Sequence, residues 1–163
     1  MIKRIVSLTM LVLCMVAIFM FSSQNGEESS KVSGELTEKI ITAVNPEFDG
    51  LSPTAQKTYR ENMHFIIRKT AHFTIFMLLG ISALLTFDSF SIRRMSLKML
   101  LALLICLAYA ASDELHQLSS PGRAGQLRDV LIDSSGSVVG ILLTALVLCA
   151  MRSLRNSQSE EGN

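Results

Sequence analysis

Three polar clusters interrupt an otherwise apolar chain, and their residue types define the chemistry open to it. The first is Arg68-Lys69 with His72. The second is Asp113-Glu114 with His116 and Gln117, and the third is Arg123 with Arg128, Asp129 and Asp133. Arginine and lysine hold phosphate or carboxylate, an imidazole moves protons near neutral pH, and carboxylates orient an imidazole or ligate a metal. Ionisable groups at membrane depth are costly, so clusters of them at the ends of apolar runs mark a functional site.

Their spacing sorts them onto helical faces. Lys69, His72, Phe76 and Gly80 recur at i, i+3, i+7 and i+11, one face of a helix with Arg68 beside its mouth. Arg68 and Lys69 also suit a plain interfacial anchor. Tyr109, Asp113 and His116 share a second face bordered by Gln117, while Glu114 points about 100° away. Asp113 and His116 can work in proton transfer, or ligate a divalent metal with His72 or Glu114. Equally, Asp113 can clamp helices together by pairing Lys69 or Arg68. No His-Glu-x-x-His or comparable ligand spacing is present.

The third cluster opens with Pro121-Gly122, a turn that presents Arg123 near the ends of both neighbouring helices. Asp129 suits the positive end of a helix dipole. Asp133, one turn deeper, needs a partner, and Arg123 or Arg128 can supply one. Gly136-x-x-x-Gly140 is a small-x-x-x-small face for close helix packing.

The elements that must position these residues are membrane helices. The chain is 49% hydrophobic, with a mean hydropathy of +0.40. Uncharged or nearly uncharged runs cover 5–21, 70–87, 97–112 and 130–151, close to the ~20 residues that cross a bilayer. They are apolar all round, which excludes the polar outer face of a soluble bundle. The fold expected is therefore all-α, a single polytopic domain over 1–163 with four transmembrane helices. The first run starts after Lys3 and Arg4 and lacks a small-x-small cleavage site at Met20–Ser23, so it reads as an uncleaved anchor.

Between the first two spans, 22–69 reads as an outer amphipathic segment. Leu36, Ile40, Ile41 and Val44 share a helical face, Asn45-Pro46 breaks that helix, and Ser52-Pro53 starts another. The tail from Arg152 is expected to be disordered. Cys14, Cys106 and Cys149 all lie within spans and behave as small apolar residues.

Basic residues cluster at Lys3-Arg4, at Arg93, Arg94 and Lys98, and at Arg152 and Arg155. The positive-inside rule then places both termini in the cytoplasm and the three polar clusters at the outer face. A net charge of +1 gives no electrostatic basis for a nucleic-acid partner, whereas membrane lipids are an expected one.

Arg68–Gly80 followed by Asp113–Gly140 resembles the VanZ-like membrane proteins of bacteria, named for a teicoplanin-resistance accessory protein. The resemblance rests on the ordered set Arg-Lys-x-x-His, Asp-Glu-x-x-Gln, Pro-Gly-Arg and an Asp-led glycine helix. It carries over Arg68, Lys69, His72, Asp113, Glu114, Gln117, Arg123, Asp129 and Gly136. Asp133 stands where asparagine is common in that family, and Thr74-Ile75-Phe76 where an acidic–aromatic pair is common. The resemblance implies a multi-pass protein of the bacterial cytoplasmic membrane, associated with glycopeptide resistance.

Two functions fit these residues. In the first, an outward polar pocket binds an anionic lipid headgroup, a peptidoglycan precursor or a lipoglycopeptide through Arg68, Lys69, Gln117, Arg123, Asp129 and Asp133. In the second, a membrane-embedded enzyme acts on a lipid-linked or phospholipid substrate. His72, Asp113, Glu114 and His116 would then do the chemistry, with a divalent metal as one option. Gly80, Gly136 and Gly140 serve helix packing in both.

Overall fold

A computed structural model describes residues 1–23, 26–118 and 127–161, and within these every regular element is helical. The helices are α1 (Ile2–Ser22), α2 (Gly26–Val44), α3 (Pro53–Asp88), α4 (Met95–Leu118) and α5 (Leu127–Glu161), with a 3-10 turn at Phe48–Gly50. Four of them, α1, α3, α4 and α5, are long and apolar enough to cross a membrane. The chain is an all-α polytopic membrane protein. Large apolar side chains such as Val12, Leu13, Leu104, Leu142 and Leu146 point outward, as they do where lipid is the solvent.

Helix α3 is the hub, packing against each of the other four helices. It starts where Ser52 accepts a hydrogen bond from the Ala55 amide at 3.4 Å, with Pro53 at the first helical position. It then runs unbroken for 36 residues, so the second outer helix and the second span are one rod. Nothing between Pro53 and Gly80 interrupts the backbone ladder, and Arg68 and Lys69 are good helix formers. At ~1.5 Å per residue the rod is ~54 Å long, well beyond the ~30 Å of bilayer hydrocarbon.

The projecting part of α3 carries α2. Ile41 is buried, Glu38 accepts a hydrogen bond from Arg60 at 2.6 Å, and Phe48 lies against Tyr59 with ring centroids 5.6 Å apart. Gln56 Nε2 lies 3.2–3.3 Å from the carbonyls of Phe48, Asp49 and Leu51, tying down the turn between the two helices.

The closest approach in the bundle is between α3 and α5. A methyl group at Gly80 would run into the Ser137 carbonyl, one at Gly136 into that of Phe73, and one at Gly140 into that of Met77. The three glycines let the two backbones touch. Ser137 Oγ adds a hydrogen bond to the Phe76 carbonyl at 3.1 Å. Around this seam Phe76 packs among small or aliphatic core residues: Leu79, Ala83, Ala102, Cys106, Ala110, Ile141 and Ala145.

The expected disordered tail is corrected at its start. Helix α5 continues to Glu161, because Arg152–Glu161 contains no proline or glycine to stop it and Arg152 is paired with Asp88.

Candidate polar site between α3, α4 and α5

The α3–α5 seam determines which polar residues meet. The face of α3 that carries Phe76 and Gly80 also carries Lys69 and His72, so both turn toward α5. On α5, Asp129 and Asp133 lie two turns and one turn before Gly136, respectively, and face α3. Lys69 Nζ reaches Asp129 Oδ2 at 2.5 Å, and His72 Nδ1 lies 3.6 Å from Asp133 Oδ1. These two rungs are a helical turn apart on both helices.

From the third side, α4 brings in Asp113. Its Oδ2 accepts a hydrogen bond at 2.8 Å from Gln117 Nε2, which also lies 3.3 Å from the Ser22 hydroxyl of α1. One donor atom each from His72, Asp113 and Asp133 falls within a 4.8 Å cluster. Asp113 is 5% exposed and Asp133 3%, so two carboxylates share a poorly solvated space with one imidazole. Such groups persist only when counter-charged or protonated, since an uncompensated buried charge costs several kcal/mol. The other carboxylate oxygen of Asp129, Oδ1, is buried with no hydrogen-bond partner among the described residues.

The remaining predicted residues divide. His116 turns toward α1, stacking on Phe19 with centroids 4.8 Å apart and placing Nε2 3.1 Å from the Ser23 hydroxyl. Arg128 holds its guanidinium 5.2 Å from the Phe65 ring, a ring that Lys69 also approaches at 5.5 Å. Glu114 is buried and Arg68 half-buried, and neither belongs to the His72 cluster. Arg123 and its Pro-Gly turn lie outside the described residues.

Two pairings weighed from the sequence take other partners here. Asp113 meets Gln117 and the His72–Asp133 pair rather than Lys69 or Arg68. Among the described residues Asp133 meets His72 rather than Arg128.

Beside this cluster lies a groove of about 650 Å³ between α1, α2 and α3. Ile18 and Phe21 form one wall, Leu36 and Ile40 another, and the floor is the α3 face from Met63 to Leu78. The lining is apolar, and neither Arg68 nor Lys69 contributes to it. His72 does, and it is the residue common to the groove and to the buried cluster among the described residues.

Sequence reasoning missed Asp88, which organises the opposite end of the bundle. It accepts a hydrogen bond from Lys98 Nζ at 2.6 Å and pairs with Arg152, while Arg4 Nε donates to the Ser89 carbonyl at 2.8 Å. The available signal was a lone acid closing an apolar run, followed ten residues later by a lysine inside the next one.

The arrangement can hold a proton between an imidazole and two carboxylates, hold a cation, or receive a polar group from the groove. No curated protein and no solved structure matches the chain. A family model described as VanZ/LLP1 matches residues 7–148, which include every residue of the cluster and of the groove lining, and the chain belongs to that family.

Proposed function

We propose that this membrane protein binds an amphiphile with an anionic head, placing its apolar chain in the groove between α1, α2 and α3 and its head at the polar cluster. The observation that carries this reading is the groove itself: an open, apolar groove with His72 in its lining. An acyl or prenyl chain gains roughly 0.8 kcal/mol per methylene removed from water, but nothing on leaving lipid for an equally apolar groove. Selectivity must therefore come from the head. His72 is the contact nearest the groove, with Lys69 and Arg68 as the cations one turn away. Ligand classes with this chemistry are anionic phospholipids, lipid-linked envelope precursors and lipoglycopeptides. Binding one of these at the outer face of the bacterial cytoplasmic membrane would account for a contribution to teicoplanin-type resistance.

The chain has no tryptophan, which makes the test direct. Leu36→Trp, at the groove rim, is to be compared with Leu143→Trp, on the exposed face of α5, in vesicles containing brominated lipids. The groove tryptophan should be quenched more strongly by brominated phosphatidylglycerol than by brominated phosphatidylcholine, and the control equally by both. Lys69→Ala should reduce the preference about fivefold, the value of one ~1 kcal/mol charged contact. Equal quenching at both positions by both lipids would remove the reading.

The convergence of His72, Asp113 and Asp133 favours a second reading, an enzyme acting on a lipid-linked or phospholipid substrate with His72 as base. It requires His72→Ala to abolish product formation while leaving the groove tryptophan's lipid preference intact.

A further inference from the structure

We propose that His72, Asp113 and Asp133 form a binding site for one divalent transition-metal ion at the border of the groove. Three helices each supply one ligating group, and the donor atoms already lie within 4.8 Å of one another. An ion with ligand bonds of ~2.1 Å holds tetrahedral donors ~3.4 Å apart. The His72–Asp133 separation of 3.6 Å is close to that value, and the wider contacts, up to 4.8 Å, need to close by at most ~1.4 Å, within reach of side-chain rotation.

Charge balance points the same way. Asp113 and Asp133 bring two negative charges into a buried site. Among the described residues, Lys69 pairs with Asp129 and Arg128 lies over Phe65. On α4, Gln117 is neutral and His116 faces α1. A protonated His72 would cancel only one of the two charges. A divalent ion with a neutral imidazole cancels both, and a buried ion is often the largest local charge in its site.

The donor set, one imidazole nitrogen and two carboxylate oxygens, suits zinc, manganese or ferrous iron better than calcium or magnesium. Gln117 supplies outer support. Its amide holds Asp113 through Oδ2 and is itself braced against Ser22, as ligating carboxylates are held in metal sites. Three protein ligands leave a coordination position open, and a phosphate or carboxylate oxygen arriving along the groove can fill it. That last step rests on the proposed lipid function. The ion site itself rests on the cluster alone.

The test is a cobalt titration of the full-length protein, purified in detergent through a histidine-free tag and stripped with EDTA. Wild type should bind one Co²⁺ per chain, with a saturable visible absorption band. Zn²⁺ should displace it and raise the apparent melting temperature. Asp133→Asn and His72→Ala should lose the band, and His64→Ala should keep it. If the first two variants fail to stay monodisperse, the wild-type titration decides alone. No saturable band, or one unchanged in a well-behaved Asp133→Asn, would overturn the site and leave His72 as a polar clamp. No lipid enters this measurement, and the tryptophan quenching can be run in EDTA, so each proposal can fail without the other.

Discussion

Individual charged side chains decide more of this fold than their number suggests. Lys98 is 4% exposed and depends on Asp88, whereas the Arg152 side chain that shares the same carboxylate is 40% exposed. Removing Asp88 leaves a buried ammonium without its counter-charge, which typically costs about 3–5 kcal/mol. Removing Arg152 costs about 0–1 kcal/mol, because an exposed partner is screened by solvent. Asp88→Ala should therefore sharply lower the apparent melting temperature in detergent, and Arg152→Ala should barely move it. Comparable losses from both would mean that Arg152, not Lys98, is the partner that matters. These residues also show where sequence stops being informative. Helical spacing puts Asp113 and His116 on one face of α4, but it cannot say which helix each will meet. The structure turns His116 to Phe19 of α1 and Asp113 to His72 and Asp133. Asp133 is legible as a buried acid needing a partner. That the partner is an imidazole on α3 depends on the register of two helices separated by some sixty positions in the sequence.

That register is an element-scale property, and the glycines hold it. The Lys69–Asp129 and His72–Asp133 rungs lie just beyond the point where Gly136 touches the Phe73 carbonyl. Gly136→Ala would force the backbones apart at that point, a strain of the size that overpacked cores show, typically about 1–3 kcal/mol. The expected outcome is a lower apparent melting temperature together with weaker cobalt binding, because Asp133 moves with the α5 backbone. Ser135→Ala, on the exposed side of the same turn, should leave both unchanged. A destabilised Gly136→Ala with undiminished cobalt affinity would show that seam and site are not coupled. The small-x-x-x-small spacing is readable in sequence because it needs only residue size and period. The length of α3 is harder to read. A polar Arg-Lys pair looks like a boundary, whereas a helix ends only where its backbone bonding is broken, and nothing breaks it before Asp88.

At the scale of the whole molecule, the bundle has two unlike ends, and which one faces outward decides what the groove can meet. One end carries Lys3, Arg4, Arg93, Arg94, Lys98, Arg152 and Arg155, with Lys98 and Arg152 paired to Asp88, and the other carries α2, the groove and the His72 cluster. Both ends contain basic residues, and at the groove end Lys69 and Arg60 pair with Asp129 and Glu38. We propose, from the basic clusters at Lys3-Arg4, Arg93-Arg94-Lys98 and Arg152-Arg155 beside the span ends, that the Asp88 end lies in the cytoplasm. In a cysteine-free background, Lys57→Cys on the exposed part of α3 should react with a membrane-impermeant maleimide in intact cells. Arg155→Cys should react only after permeabilisation. The reverse pattern would place the groove in the inner leaflet, where an antibiotic acting from outside cannot reach it, and would leave lipids of that leaflet as the groove's ligands. The expected pattern puts an apolar channel and its ionisable head site at the outer surface, open to lipid-linked precursors and to the acyl chain of a lipoglycopeptide alike. Competition between those two for the quenching of Leu36→Trp would then measure which of them the groove prefers.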